Sequence, residues 1–277
     1  MNAAQEFISD LAEKIPLPTI YWQIRLLMNN PNAKIGDYER LIQGDPQLTT
    51  HTILIANSEF FGFGRKVDGL YDAISLIGVG QLHDLLLGSL CMRTFANIPG
   101  QAMGHLNVFW RQAIKRGIAA RTVAKFCRMP SSNQFFTVGF FLEIGHVAMT
   151  VKAPDLAFKT LQQSQQQQRP IYAVERENFG FDYCQLGAEL LRKWCLPEFY
   201  PQVLENHLYP EQAKPNIQTE TEIAYLAYCL CDASELEEHR RTRILNADQE
   251  LTVKEIVDTE ITDHVDEIFA MLRPANQ

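Results

Sequence analysis

The chain has 277 residues, 46% of them hydrophobic and 21% charged, with a formal net charge of -8. That composition belongs to a folded globular protein with a proper core and excludes a disordered chain. From Gln218 onward, 14 acidic residues stand against 5 Lys or Arg. With no basic stripe to offset them, nucleic acid is not expected as a partner.

The N-terminus, MNAAQEFISDLAEKIP, carries acids and lacks the apolar centre of a secretory signal. No apolar run approaches the roughly 20 residues of a bilayer span, so no membrane is expected and the expected location is cytoplasmic. Cys91, Cys127, Cys184, Cys195, Cys229 and Cys231 are scattered without a CxxC pair. They read as buried free thiols of a reducing compartment rather than as a zinc or disulfide framework.

Helical spacing dominates the chain from its start. Phe7, Ile8, Leu11 and Ile15 form one apolar stripe, and Ile20, Ile24, Leu27 and Met28 form a second beyond Pro16 and Pro18. A third helix is expected through Tyr38, Leu41 and Ile42. Asp45-Pro46 predicts the next start, with Asp45 as N-cap, and that helix runs to Asn57. Phe60 to Gly64 is a glycine-punctuated aromatic loop, read as a packed turn. Leu70–Leu76 and Leu82–Phe95 are helical on either side of Gly78-Val79-Gly80.

Asn97 to His105 is a connector. Val108–Phe126 is amphipathic, with Trp110, Ile114, Ile118 and Val123 inward. Phe135–Met149 is apolar almost all round, which predicts one buried central helix. The tract from Gln162 to Gln168 is low in complexity and reads as a solvated helix end or mobile loop. Pro210 and Pro215 mark a linker, followed by helices over Glu222–Leu236 and Val253–Leu272. The Glu235–Arg241 run reads as a solvated helix exit. No run alternates as a strand would, so the expected fold class is all-α.

Several short pieces, in order, resemble the HDOD family, the catalytically degenerate relatives of the HD-domain metal-dependent phosphohydrolases. They are Leu17-Pro18, Asp45-Pro46-Gln47-Leu48, Ala56-Asn57-Ser58, Asp72-Ala73-Ile74 and Leu76-Ile77-Gly78. Further along come Phe109-Trp110, Gly139 to Gly145, Glu175 with Phe179-Gly180, and Leu186-Gly187-Ala188 through Trp194 to Leu196-Pro197. Each piece alone is noise, and their specificity lies in the order. The resemblance implies a compact HD-like domain over residues 10–208 with an N-terminal helical subdomain, in a bacterial signalling protein. Residues 209–277 form an acidic helical extension expected to pack on the same body, since two helices alone make a poor core.

An HD hydrolase surrounds one or two divalent metals with histidines and aspartates, and the metal acidifies water for attack on phosphorus. By the resemblance, the first histidine position falls on Gln112, the His-Asp pair on Leu142 and Glu143, and a later histidine on Tyr183. The last aspartate falls near Tyr228 or Asp232. Leu142 has no donor atom, and the ligand set is largely replaced. Glu143 and His146, at i and i+3, would share one side of a helix, and His207 is a further donor for a residual metal or ligand site. The preferred reading has Glu143 hydrogen-bonded in a remodelled pocket and His146 at a helix end, with no catalytic residue, metal or cofactor assigned.

No GxSxG, P-loop or GxGxxG is present, and His51 and His83 read as structural. The function expected is a non-enzymatic regulatory scaffold whose partners are other signalling proteins, with self-association left open. Two alternatives stand beside it: a phosphohydrolase with an altered ligand set, and a nucleotide sensor built on the vestigial pocket.

Overall fold

The computed structural model describes residues 2–96, 103–231 and 243–274. Among them every regular element is helical. The first six helices are α1 (Ala3–Lys14), α2 (Thr19–Met28), α3 (Ile35–Gln43), α4 (Pro46–Asn57), α5 (Leu70–Ile77) and α6 (Val79–Ala96). Then come α7 (Met103–Phe126), α8 (Gln134–Phe141), α9 (Ile144–Lys152), α10 (Pro154–Gln167), α11 (Ile171–Phe179), α12 (Tyr183–Lys193) and α13 (Phe199–Asn206). After a 3-10 turn at Pro210–Gln212 the chain ends with α14 (Gln218–Cys231) and α15 (Ala247–Leu272).

Local chemistry sets many of these boundaries. The Asp45 carboxylate accepts the Leu48 N–H at 3.1 Å with Pro46 in the first turn, so α4 begins where an N-cap and a pre-set φ coincide. Asp182 does the same for α12 through the Gln185 N–H at 2.9 Å. Gly180, at φ 80°, ends α11 in a left-handed conformation that a side chain resists.

The chain divides into two compact units, Met1–Pro16 with Pro99–Ile261, and Leu17–Ile98 with Thr262–Gln277. This follows a different line from a division of the sequence into 10–208 and 209–277. In the second unit α4 and α5 pack on one another and on α3, and α6 packs on α2. Asn57 closes its aromatic loop: the side-chain amide donates to the Val67 carbonyl at 2.7 Å and accepts its N–H at 2.9 Å. Phe60 and Phe61 are buried as a result. Nearby, His51 shares a hydrogen bond of 2.6 Å with Ser89, and burial pushes its imidazole down to about 4.

The first unit holds the site. Its core joins Ala120, Val123 and Phe135 to Ile223, Ala227 and Val253, so α14 and α15 complete a surface that α7 begins. Helix α1 packs on α12, and Trp194 Nε1 donates to the Ile15 carbonyl at 3.3 Å.

Three sequence expectations are corrected. The run from Phe135 to Met149 is two helices, broken at Leu142-Glu143, where Glu143 takes φ -112° and ψ 20° and precedes α9. The stretch Gln134–Lys152 is apolar enough over 19 residues to pass for a membrane span by composition, and here 72% of it is buried inside the protein. Cys195 is exposed rather than buried. The Gln162–Gln168 tract forms the exposed end of α10 and its cap. Much of the Asn97–His105 connector, the end of the helix expected to Leu236, and the Glu235–Arg241 run lie outside the described residues.

Candidate functional site

Two glycines decide how closely the site helices approach. A Cβ on Gly139 would lie 2.2 Å from the Arg116 carbonyl oxygen, so only glycine lets α8 rest on the backbone of α7. A Cβ on Gly145 would lie 2.0 Å from the Tyr183 carbonyl oxygen, which brings α9 onto the start of α12 in the same way. The break at Leu142-Glu143 lies between these two contacts.

At the break, Glu143 meets a buried cation. Arg116, on α7 and only 1% exposed, places Nη2 2.5 Å from Glu143 Oε2. One turn into α9, His146 Nδ1 lies 2.8 Å from Glu175 Oε1. Glu175 is buried on α11, and its other oxygen accepts the Tyr183 N–H at 2.9 Å. A carboxylate only accepts, so Nδ1 carries a proton and donates it to Glu175.

Behind His146 the rings continue inward. His146 stacks on Tyr183 at 4.2 Å between centroids. The Tyr183 hydroxyl lies 3.3 Å from His207 Nε2, and His207 Nδ1 lies 2.7 Å from the Leu204 carbonyl. Since a carbonyl only accepts, Nδ1 donates and Nε2 accepts from the phenol. Burial pushes the His207 imidazole down to about 4, although the Leu204 hydrogen bond works in the opposite direction.

These groups border a cavity of about 300 Å³. Glu143, His146, Thr150, Glu175 and Tyr228 contribute polar groups to its lining, and Met149, Leu161, Ile171 and Phe179 supply apolar surface.

The residues singled out from sequence are thus only partly gathered. Glu143 and His146 share the cavity, one preceding α9 and the other in its first turn. Tyr183 lies behind His146, and His207 lies deeper still. Leu142 is fully buried. Gln112 does not line the cavity, and its side-chain oxygen is buried without a hydrogen-bond partner. Tyr228 lines the cavity, whereas Asp232 is outside the described residues. Sequence reasoning missed Arg116 and gave Glu175 no role. The signal for Arg116 is its position four residues after Gln112, one turn along the same face.

Among the described residues, the donors at the site are already engaged by protein groups. Glu143 is held by a guanidinium, His146 by a carboxylate, and both nitrogens of His207 are engaged. Among the described residues no group of three or more His, Cys, Asp or Glu is placed to hold an ion.

The family model for the HDOD domain matches residues 15–210. An uncharacterized protein of Treponema pallidum (strain Nichols) is 24% identical over 218 residues, which are 76% of this chain and 42% of that protein. The chain therefore spans about two fifths of the length of the curated relative it matches. An HDOD domain protein of unknown function from Geobacter sulfurreducens superposes with a TM-score of 0.72 at 18% identity, covering 98% of this chain and 96% of that one. A protein of Shewanella amazonensis SB2B, described provisionally as a phosphohydrolase, gives 0.72 at 18% identity, over 96% and 97% of the two chains. A protein of Marinobacter aquaeolei VT8, described provisionally as a signal transduction protein, gives 0.70 at 21% identity, over 98% of this chain and 63% of that one. At these identities the structural likenesses establish the fold.

Proposed function

Because the chain belongs to the HDOD domain family, we propose that it acts as a non-enzymatic signal-transduction domain whose HD metal site has been converted into a protein-only pocket. The observation that carries this reading is the Arg116–Glu143 pair. In a metal site a divalent cation would neutralise that carboxylate; here a guanidinium on the neighbouring helix supplies the positive charge. Two further features support it. His146 is committed to Glu175, and Leu142 occupies a ligand position with a side chain that cannot donate. Without a metal to acidify water, phosphate-ester hydrolysis loses the source of its nucleophile. The nucleotide-sensing alternative is disfavoured by charge, because among the described residues two carboxylates and no Lys or Arg line the cavity. Output then passes to other regulatory proteins through the surface.

Elemental analysis of protein purified without chelator or metal-affinity resin tests the reading, alongside a phosphodiesterase assay with added manganese. Metal well below one per chain and no turnover are expected. Near-stoichiometric manganese, iron, zinc or nickel that disappears in Glu143→Ala would overturn it.

A further inference from the structure

Helix α1 is built as a self-sufficient arm. Its first turn is closed from within: Asn2 Oδ1 accepts the Gln5 N–H at 2.8 Å, and Gln5 Oε1 accepts the Asn2 N–H at 3.1 Å. Ala4, Ile8 and Leu11 recur at helical spacing and are buried, and Ile15 continues the same stripe. Beside the stripe, the Phe7 ring meets Phe179 at 5.9 Å and Phe181 at 5.2 Å, with the Lys152 ammonium 4.6 Å from its centroid. Gln5 Nε2 donates to Glu189 at 3.2 Å, and Lys152 donates to the Phe7 carbonyl. These partners belong to α9, α11, α12 and the turn between the last two.

The chain connects this arm to its groove only by a detour. After Pro16 it enters the second unit and stays there until Ile98. The joint is Ile15-Pro16-Leu17-Pro18, whose two prolines exclude a helix and bias the residues before them towards extended backbone. Pro18 takes φ -55° and ψ 148°. The family match begins at residue 15, so α1 lies outside it.

Such an arm is held by non-covalent contacts alone, and nothing in those contacts fixes which copy supplies it. Docking on a second copy keeps each contact and changes only the backbone of the joint, so concentration decides between the closed and exchanged forms. The occupant of the groove is known, since α1 itself fills it in this structure. The groove also adjoins the site: α9 follows the break at Glu143, α12 begins with Tyr183, and Phe179 lines the cavity as well as touching Phe7.

We propose that α1 is an exchangeable arm through which the chain pairs with a second copy of itself, each copy's α1 docking on α9 and α12 of the other. The helices that carry the site of one copy are then buttressed by the arm of its partner. Four extended residues span about 14 Å at most, so copies that exchange arms must lie directly against each other.

The test mixes two full-length variants, Gln5→Cys and Glu189→Cys, each also carrying Cys195→Ser to remove the exposed thiol. They are refolded together from urea at up to about 1 mM, the effective concentration that a short linker gives the closed form. With oxidised glutathione, a disulfide from position 5 of one chain to position 189 of the other is expected. It should exceed by about tenfold or more the yield from Gln5→Cys mixed with Glu255→Cys, a position exposed on α15. Adding Phe7→Ala to the Gln5→Cys chain should bring the yield down to that control.

The unsubstituted chain supplies a second measurement that no folding defect can cloud. Sedimentation velocity should show a dimer whose share grows with the concentration at refolding. On dilution it should return to monomer slowly, because each arm must first be withdrawn. A disulfide yield no higher than the control, a chain monomeric at every concentration, or a dimer that dissociates as fast as it is diluted overturns the proposal.

Discussion

At the scale of single residues, the site is governed by which partner each charged or polar group has found. Gln112 and Leu142 were readable from sequence as replacements at ligand positions, because side-chain chemistry alone decides what they can coordinate. Arg116 was not readable, since an ion pair across two helices exists only after the helices pack. The buried histidines carry a pH dependence with a definite sign. His207 and His51 both sit at about 4 in the folded chain against an ordinary 6.5. Between those values the unfolded chain takes up protons that the folded chain refuses, so stability rises with pH through that window. The contribution is complete above about 6.5 and is lost as pH falls towards 4, amounting to about 3 kcal/mol per histidine at most. Urea unfolding at pH 7 and pH 5 should show a lower midpoint at pH 5, and His207→Gln should flatten part of that slope. Equal slopes for the wild-type chain and the variant would contradict a neutral His207 in the fold.

At the scale of elements, the decisive event is the interruption between α8 and α9. The sequence there is apolar on every side, and an unbroken helix is its natural reading. What breaks it is tertiary: Gly139 and Gly145 each lie against backbone of a different helix, and a continuous rod would have to meet both. By contrast, the starts of α4 and α12 are carried by local cap residues, which is why the first of them was legible to the residue. Gly139→Ala and Gly145→Ala should each destabilise the protein by more than the roughly 1–3 kcal/mol of ordinary overpacking, because the clashing atom is backbone. Gly80→Ala is the control. A Cβ there meets nothing within 4 Å, and inside α6 it should be neutral or stabilising by up to about 1 kcal/mol. Denaturant midpoints for the three variants check the ranking.

At the scale of the whole molecule, the helical class was evident from periodicity, whereas the two interleaved units were not. Periodicity reports which face of a segment is apolar and carries no information about which distant segment will cover it. The core shared by α7, α14 and α15 makes a prediction about truncation. A chain ending at residue 208 keeps nearly all of the family match, yet loses Ile223, Ala227, Val253 and Val257 from that core. It should bind a hydrophobic dye strongly and lose dispersed amide signals for α7 and α8. A truncated chain as well folded as the full one would show that α14 and α15 are accessory.

The order in which the units use the chain also sets a timetable for its birth. The first unit begins with Met1–Pro16, yields to Leu17–Ile98, and resumes to Ile261, while the second waits for Thr262–Gln277. On a ribosome, where domains generally fold as they emerge, neither unit has its full complement of helices until α15 has been made. Helix α1 must remain without α12, its packing partner, while the intervening chain is made. Such a nascent chain presents apolar helix faces while the segments that cover them are still being made, and its folding yield in a cell should depend on chaperone supply more than its final stability alone suggests.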